Sequence, residues 1–169
     1  TREVADSTPV SPAIIFGQTH SSAACCSEPP SSSMKKTAFV ILPASPEEAA
    51  VIDRKITEFS HRQVPFTQEQ DIIWWSYLIK DGETIIAGLK ADIYYWRILF
   101  IEVLFVEEQY RGQGLGSALL KKVEDEAQAL GATLAHLDTF DFQAKDFYIK
   151  HGYELFGTLD DCPPGHQRY

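Results

Sequence analysis

The chain lacks the features that mark several large protein classes. It has three cysteines in 169 residues. The count is odd and two are adjacent, Cys25 and Cys26, a poor disulfide framework that fits a reducing compartment. No apolar run is long enough to span a bilayer. Cations are scarce: 15 Lys and Arg stand against 24 Asp and Glu, for a net charge of −9. Gripping a phosphate backbone needs clustered Lys and Arg, so general nucleic-acid binding is disfavoured. The acidic balance attracts a cationic substrate weakly. No Cys/His cluster has metal-ligand spacing, so no metal site is expected. There is no internal repeat.

Methionine occurs once, at Met34. Residues 1–33 are rich in Ser, Pro, Ala and Thr and show no periodicity. They also lack the basic start and apolar segment of a signal peptide. We read residues 1–33 as a flexible leader or added extension and residues 34–169 as one domain with a cytoplasmic home. That domain retains 14 basic and 21 acidic residues, so the acidic character is its own.

Local patterns predict its elements. Thr37–Leu42 reads as a first strand. Ser45 and Pro46 open a helix with Glu47 and Glu48 in its first turn, and Ala49, Ile52, Ile56 and Phe59 recur at helical spacing. Ser60–Thr67 breaks that pattern, and a short helix is expected around Gln68–Ile72. Trp75, Tyr77 and Ile79 alternate as in a strand, Asp81-Gly82 marks a hairpin, and Ile85–Ile93 returns. Tyr94-Tyr95-Trp96 is an aromatic connection. Ile98–Val106 is nearly all apolar, as in a strand buried on both faces. Leu115, Leu119, Val123, Ala127 and Leu130 form the stripe of a helix over Gly114–Leu130, stopped by Gly131. A strand at Thr133–Thr139, a helix at Asp141–His151, a strand at Gly152–Leu159, a Pro-rich turn and a strand start at 166–169 follow.

The most specific feature is Arg111-Gly112-Gln113-Gly114-Leu115-Gly116 between the Ile98–Val106 strand and a helix. Glycines there allow close backbone approach, and free N–H groups at the positive end of a helix dipole make a diphosphate cradle. A dinucleotide-binding unit is one reading, with Asp138 where a ribose-binding acid would sit. However, the spacing is G-x-G-x-G rather than G-x-G-x-x-G, and too little chain follows Asp138 to complete a parallel sheet. A phosphate loop needs Gly-Lys-Ser/Thr, which is absent. A hydrolase built on Ser117, His136 and Asp138 lacks a G-x-S-x-G elbow. A thiol nucleophile at Cys162 with His166 sits beside two acids, which oppose thiolate formation.

The third reading of the loop fits better. Arg111-x-x-Gly114-x-Gly116 resembles the R/Q-x-x-G-x-G/A signature of the GNAT acyltransferases. Phe147-Tyr148-x-Lys150-x-Gly152-Tyr153 downstream resembles that family's helix-to-strand motif. The resemblance runs from about residue 37 to the end. It implies a mixed α/β (α+β) fold, with a central, mostly antiparallel sheet containing a parallel pair and flanked by helices. It implies acetyl-CoA as acyl donor and a small-molecule or peptide amine as acceptor. Neither nucleic acid nor a membrane is an expected partner, and a homodimer is left open.

By the same resemblance, the backbone of Leu104, Phe105 and Val106 faces the pantetheine arm and thioester. The N–H groups of Arg111, Gly112, Gln113, Gly114, Leu115 and Gly116, with Ser117, hold the diphosphate. Tyr148 is the acid that protonates the departing thiolate. Glu102 is the one acid in an apolar strand, where burial would raise its pKa toward a general base's. A non-catalytic CoA-binding or regulatory module is the rival reading.

Overall fold

The structure, a computed structural model, describes residues 39–169. The leader reading of residues 1–33, with Cys25 and Cys26, therefore lies outside the described residues. The chain divides after Ser45, and the account below concerns residues 46–169. Of the predicted first strand, Thr37 and Ala38 are not described. Phe39–Leu42 form no strand, and their side chains are 74–98% exposed. β propensity needs a partner's backbone to become a strand, and no strand pairing among the described residues includes them.

Helix α1 spans Pro46–Gln63, past the break expected at Ser60. Its apolar stripe is not a core face: Ile52, Ile56 and Phe59 are all more than half exposed. The short helix predicted at Gln68–Ile72 is absent. Thr67 and Asp71 instead exchange backbone hydrogen bonds with Tyr95, at 3.0 and 2.9 Å. Phe66 stacks on Tyr95 at 4.5 Å. The aromatic turn thereby pins this stretch as an irregular loop.

Strands β1 (Ile72–Asp81) and β2 (Thr84–Tyr94) form the predicted hairpin, with Gly82 at φ 58° in its tight turn. Strand β3 (Ile98–Val106) pairs antiparallel with β2. Helix α2 (Leu115–Ala129) then crosses to β4 (Leu134–Leu137), which runs parallel to β3. The sheet order is β1-β2-β3-β4. This is the expected mixed architecture, antiparallel with one parallel pair and flanked by helices.

The core lies between the sheet and α2. Ala87, Leu89, Ala91 and Ile93 of β2, with Leu99 and Ile101 of β3, meet Leu119, Leu120, Val123 and Ala127 of α2. Leu130, expected in the stripe, is 43% exposed, whereas Leu120 is fully buried. The other sheet face is open among the described residues, so β3 is not buried on both sides as its composition predicts. Val103 and Phe105 are nearly half exposed.

The C-terminal part departs furthest from the pattern. Helix α3 covers only Lys145–Lys150, and turns replace its predicted start. The strand expected at Gly152–Leu159 is not formed, and Leu155 and Phe156 are exposed. β5 (Leu159–Asp160) pairs there with β6 (Gln167–Arg168), and Arg168 also bridges Phe140.

Truncating Leu120 to alanine should lower unfolding free energy by about 2–5 kcal/mol, because the site is sealed between helix and sheet. Ile52→Ala, on the exposed face of α1, should cost less than about 1 kcal/mol. Urea unfolding of the two variants measures both.

Candidate active site

Pairing in the sheet shows how the site opens. Opposite β2, Ile101 pairs with Ala91 and Val103 with Lys90, so Glu102 is the extra residue of a β-bulge. A bulge bends its strand and breaks the alternation of faces. Glu102 and Val103 thus both face away from α2, while Leu104 and Val106 turn back to the core. The parallel ladder between β3 and β4 ends at the same point, with Ile101 opposite Leu137. Beyond it the two chains separate. Thr139 bonds the backbone of Tyr169 in both directions, at 3.0 and 2.8 Å.

The separation leaves Glu102–Val106 with an unpaired strand edge. It borders a cleft of about 740 Å³, which also reaches Arg111, Gly114, Gly116, Ser117 and Tyr148. This volume suits a small-molecule ligand. A somewhat larger groove, about 880 Å³, follows the other edge of β4, and Tyr148 borders both. The glycine loop borders the cleft and does not reach that groove.

The loop is built as its glycines imply. Gly112 and Gly114 take φ of 76° and 83°, a region that costs other residues about 1–2 kcal/mol. A Cβ on either would meet no atom within 4 Å, so both border open space. The Arg111 side chain turns back, its Nε donating to the Val106 carbonyl at 3.1 Å, which fastens the loop to the end of β3. Gly114 caps α2 without a side-chain bond. The first helical bond is Ala118 N–H to the Gly114 carbonyl. The N–H groups of Leu115, Gly116 and Ser117 therefore have no helical partner and offer donors to an anion.

A partner of this loop that sequence reasoning did not single out is His151, which follows Lys150 in the downstream motif. Its Nδ1 lies 2.8 Å from the Phe147 carbonyl, which can only accept, so Nδ1 carries the proton. Nε2 then accepts from the Ser117 hydroxyl at 2.9 Å. Ser117 is thus held by His151 and is not joined to His136 or Asp138. His136 bonds the Tyr94 hydroxyl and Asp138 pairs with Arg168, so the hydrolase reading has no triad. The His166 ring is engaged by Asp141, and the Cys162 thiol makes no bond to it; the two residues meet only through the backbone.

The two proposed proton-transfer residues differ in setting. Tyr148 is 9% exposed and packs against Phe147 and Tyr153. Its hydroxyl has no hydrogen-bond partner, yet no sealed polar atom among the described residues is unpaired. The hydroxyl therefore keeps access to the outside, through the cleft or the groove that Tyr148 borders. Burial pushes its pKa up. Glu102 is not the buried carboxylate that its apolar strand predicted. Its side chain is 36% exposed and pairs with Lys90 at 2.8 Å, because the bulge turns it to the open face.

A match to known proteins follows this geometry. Residues 44–153 match the acetyltransferase (GNAT) family model. The chain belongs to the GNAT acetyltransferase family. It is 31% identical over 106 residues to blasticidin-S acetyltransferase of Streptomyces morookaense, covering 62% of this chain and 77% of the relative. The crystal structure of an acetyltransferase from Bacillus cereus ATCC 14579 superposes with a TM-score of 0.70 at 33% identity. That match covers 77% of this chain and 93% of the other. As a GNAT acetyltransferase the chain is an enzyme and uses acetyl-CoA. The cleft suits that donor, with an unpaired strand edge on one side and open glycine positions on the other. No helix of the described residues is long and apolar enough to cross a membrane.

Tyr148 and Tyr153 carry a pH signature. Burial raises both pKa values, and for Tyr153 a hydrogen bond to Glu124 adds to it. A raised folded-state pKa means that their contribution to stability is complete below the unfolded value, about 10. It is lost as pH climbs toward the folded values. In an alkaline titration their tyrosinate absorbance should appear together with loss of far-UV circular dichroism.

Proposed function

We propose that the chain is an N-acetyltransferase that moves the acetyl group of acetyl-CoA to a primary amine of a small molecule, by direct transfer in a ternary complex. The observation that carries this reading is the parting of β3 and β4 at Glu102, with the glycine loop and Tyr148 on the same cleft. The likeness to blasticidin-S acetyltransferase supports a small-molecule acceptor over a peptide.

The bound donor supplies an activated acetyl thioester. The N–H groups at the start of α2, with Ser117, hold its diphosphate, and the free edge of Leu104, Phe105 and Val106 aligns the pantetheine arm. Unpaired N–H groups on that edge stabilise negative charge on the carbonyl oxygen. Glu102 takes a proton from the incoming ammonium, since only the free amine attacks. The new C–N bond forms as the C–S bond breaks, Tyr148 gives its proton to the leaving sulfur, and the second proton, shed by the acylated nitrogen, goes to solvent, which reprotonates Tyr148. Burial keeps Tyr148 protonated at working pH, as an acid must be.

Thiol release from acetyl-CoA in the presence of a panel of amines tests the proposal. Release that needs an amine supports it, whereas binding of acetyl-CoA without release under any amine favours a non-catalytic binding module.

Tyr148→Phe should lower kcat by about a hundredfold or more, with acetyl-CoA affinity nearly unchanged, because the ring packing stays and only the proton donor goes. Stopped-flow turnover and calorimetric binding separate the two effects.

For Glu102→Gln, the rate deficit should be largest at low pH, where the acceptor is mostly protonated, and should shrink as pH rises. A pH–rate profile parallel to the parent's would show that Glu102 orients the substrate or only pairs with Lys90.

A further inference from the structure

The sheet face turned away from α2 holds an arrangement that the proton-transfer scheme leaves unused. The register places one residue from each strand in a single transverse row. Trp74 of β1 is opposite Asp92 of β2, Asp92 is opposite Phe100 of β3, and Phe100 is opposite His136 of β4. Asp92 is 7% exposed. It makes no hydrogen bond or ion pair, and a buried carboxylate without a partner is strongly disfavoured.

The nearby groups do not supply the missing cation. Lys90, two residues back on the same face of β2, is committed to Glu102 at 2.8 Å. His136 is held by the Tyr94 hydroxyl at 2.9 Å and stacks on Phe100 at 4.9 Å. Glu102 adds negative charge beside Asp92, and together with burial it drives the Asp92 pKa up, against a smaller pull from His136. Since no sealed polar atom among the described residues is unpaired, the carboxylate keeps an opening to the outside. Its cross-strand neighbours on this face are both aromatic, Trp74, 62% exposed, and Phe100. A carboxylate among aromatic faces is a site for an organic cation.

We propose that Asp92 recognises a second cationic group on the acceptor, so that the favoured substrates are small molecules carrying two amino or guanidino groups. This rests on the acetyl-transfer reading above. The reacting nitrogen has to arrive neutral at the thioester, and a desolvated carboxylate beside it would hold it as ammonium. Asp92 lies one strand further from the cleft than Glu102. It therefore suits the nitrogen that does not react, while Phe100, between Asp92 and the cleft, underlies the carbon chain and Trp74 flanks the bound cation from the far side.

The experiment compares acetyl transfer by the full chain to 1,5-diaminopentane and to 1-aminopentane, followed by thiol release from acetyl-CoA. The parent should favour the diamine in kcat/KM by about tenfold or more, as expected for a charge-assisted contact. In Asp92→Asn the ratio of diamine to monoamine should collapse toward one, mainly through KM of the diamine. Equal use of the two amines by the parent, or a diamine preference that survives in Asp92→Asn, overturns the assignment while leaving acetyl transfer intact. Absence of release with any amine overturns both. Should Asp92→Asn fail to melt cooperatively, Trp74→Ala replaces it. Its exposed position tolerates truncation, and it should raise KM for the diamine severalfold. An unchanged KM there counts against the site.

Discussion

The bulge at Glu102 is the constraint on which the rest of the site depends. One extra residue in β3 reverses the facing of every residue after it. The parallel ladder with β4 ends beside it, and the chain after β4 pairs with the end of the molecule instead. An intact ladder would have left no strand edge for a ligand and no space in front of α2. Because β3 continues to Val106 after the bulge, it delivers the glycine loop to the mouth of that space. The Arg111 bond to the Val106 carbonyl keeps it there.

The same bend divides the sheet chemically. One face is the apolar core under α2, which gives β2 and β3 a rigid backing. The other carries Lys90, Asp92, Tyr94, Glu102 and His136, with Trp74 and Phe100 between them. Apart from Asp92, the polar groups on that face are cross-connected rather than solvated singly: Lys90 with Glu102, and Tyr94 with His136. The polar groups of that face thus sit on strands, whose positions the core fixes. The loop held by Tyr95 is irregular.

Much of this was legible along the chain. The hairpin at Asp81-Gly82, the alternation of Trp75, Tyr77 and Ile79, and the stripe of α2 are local signals. The structure follows them because local conformation and burial agree. The glycine loop was legible for the same reason, since positive φ at Gly112 and Gly114 is a demand that residue type meets directly. The misses share a cause. Phe39–Leu42 and Gly152–Leu159 have strand composition, but a strand exists only where another edge accepts its hydrogen bonds. The stripe on α1 has helical spacing, yet spacing does not supply a surface to bury it.

By itself, then, the sequence determined the family, the order of the main elements and the glycine loop before α2, because each rests on residue type at fixed local spacing. Tertiary structure alone decided the environment of each acid. Glu102, the acid in an apolar run, emerges half-exposed and ion-paired, because a bulge is visible only against the partner strand. Asp92, inconspicuous in sequence, is the carboxylate left buried without a partner. The link from His151 to Ser117 crosses from α3 to α2 and follows no local spacing. Solvation and pairing depend on what lies across the sheet, and that is set by register.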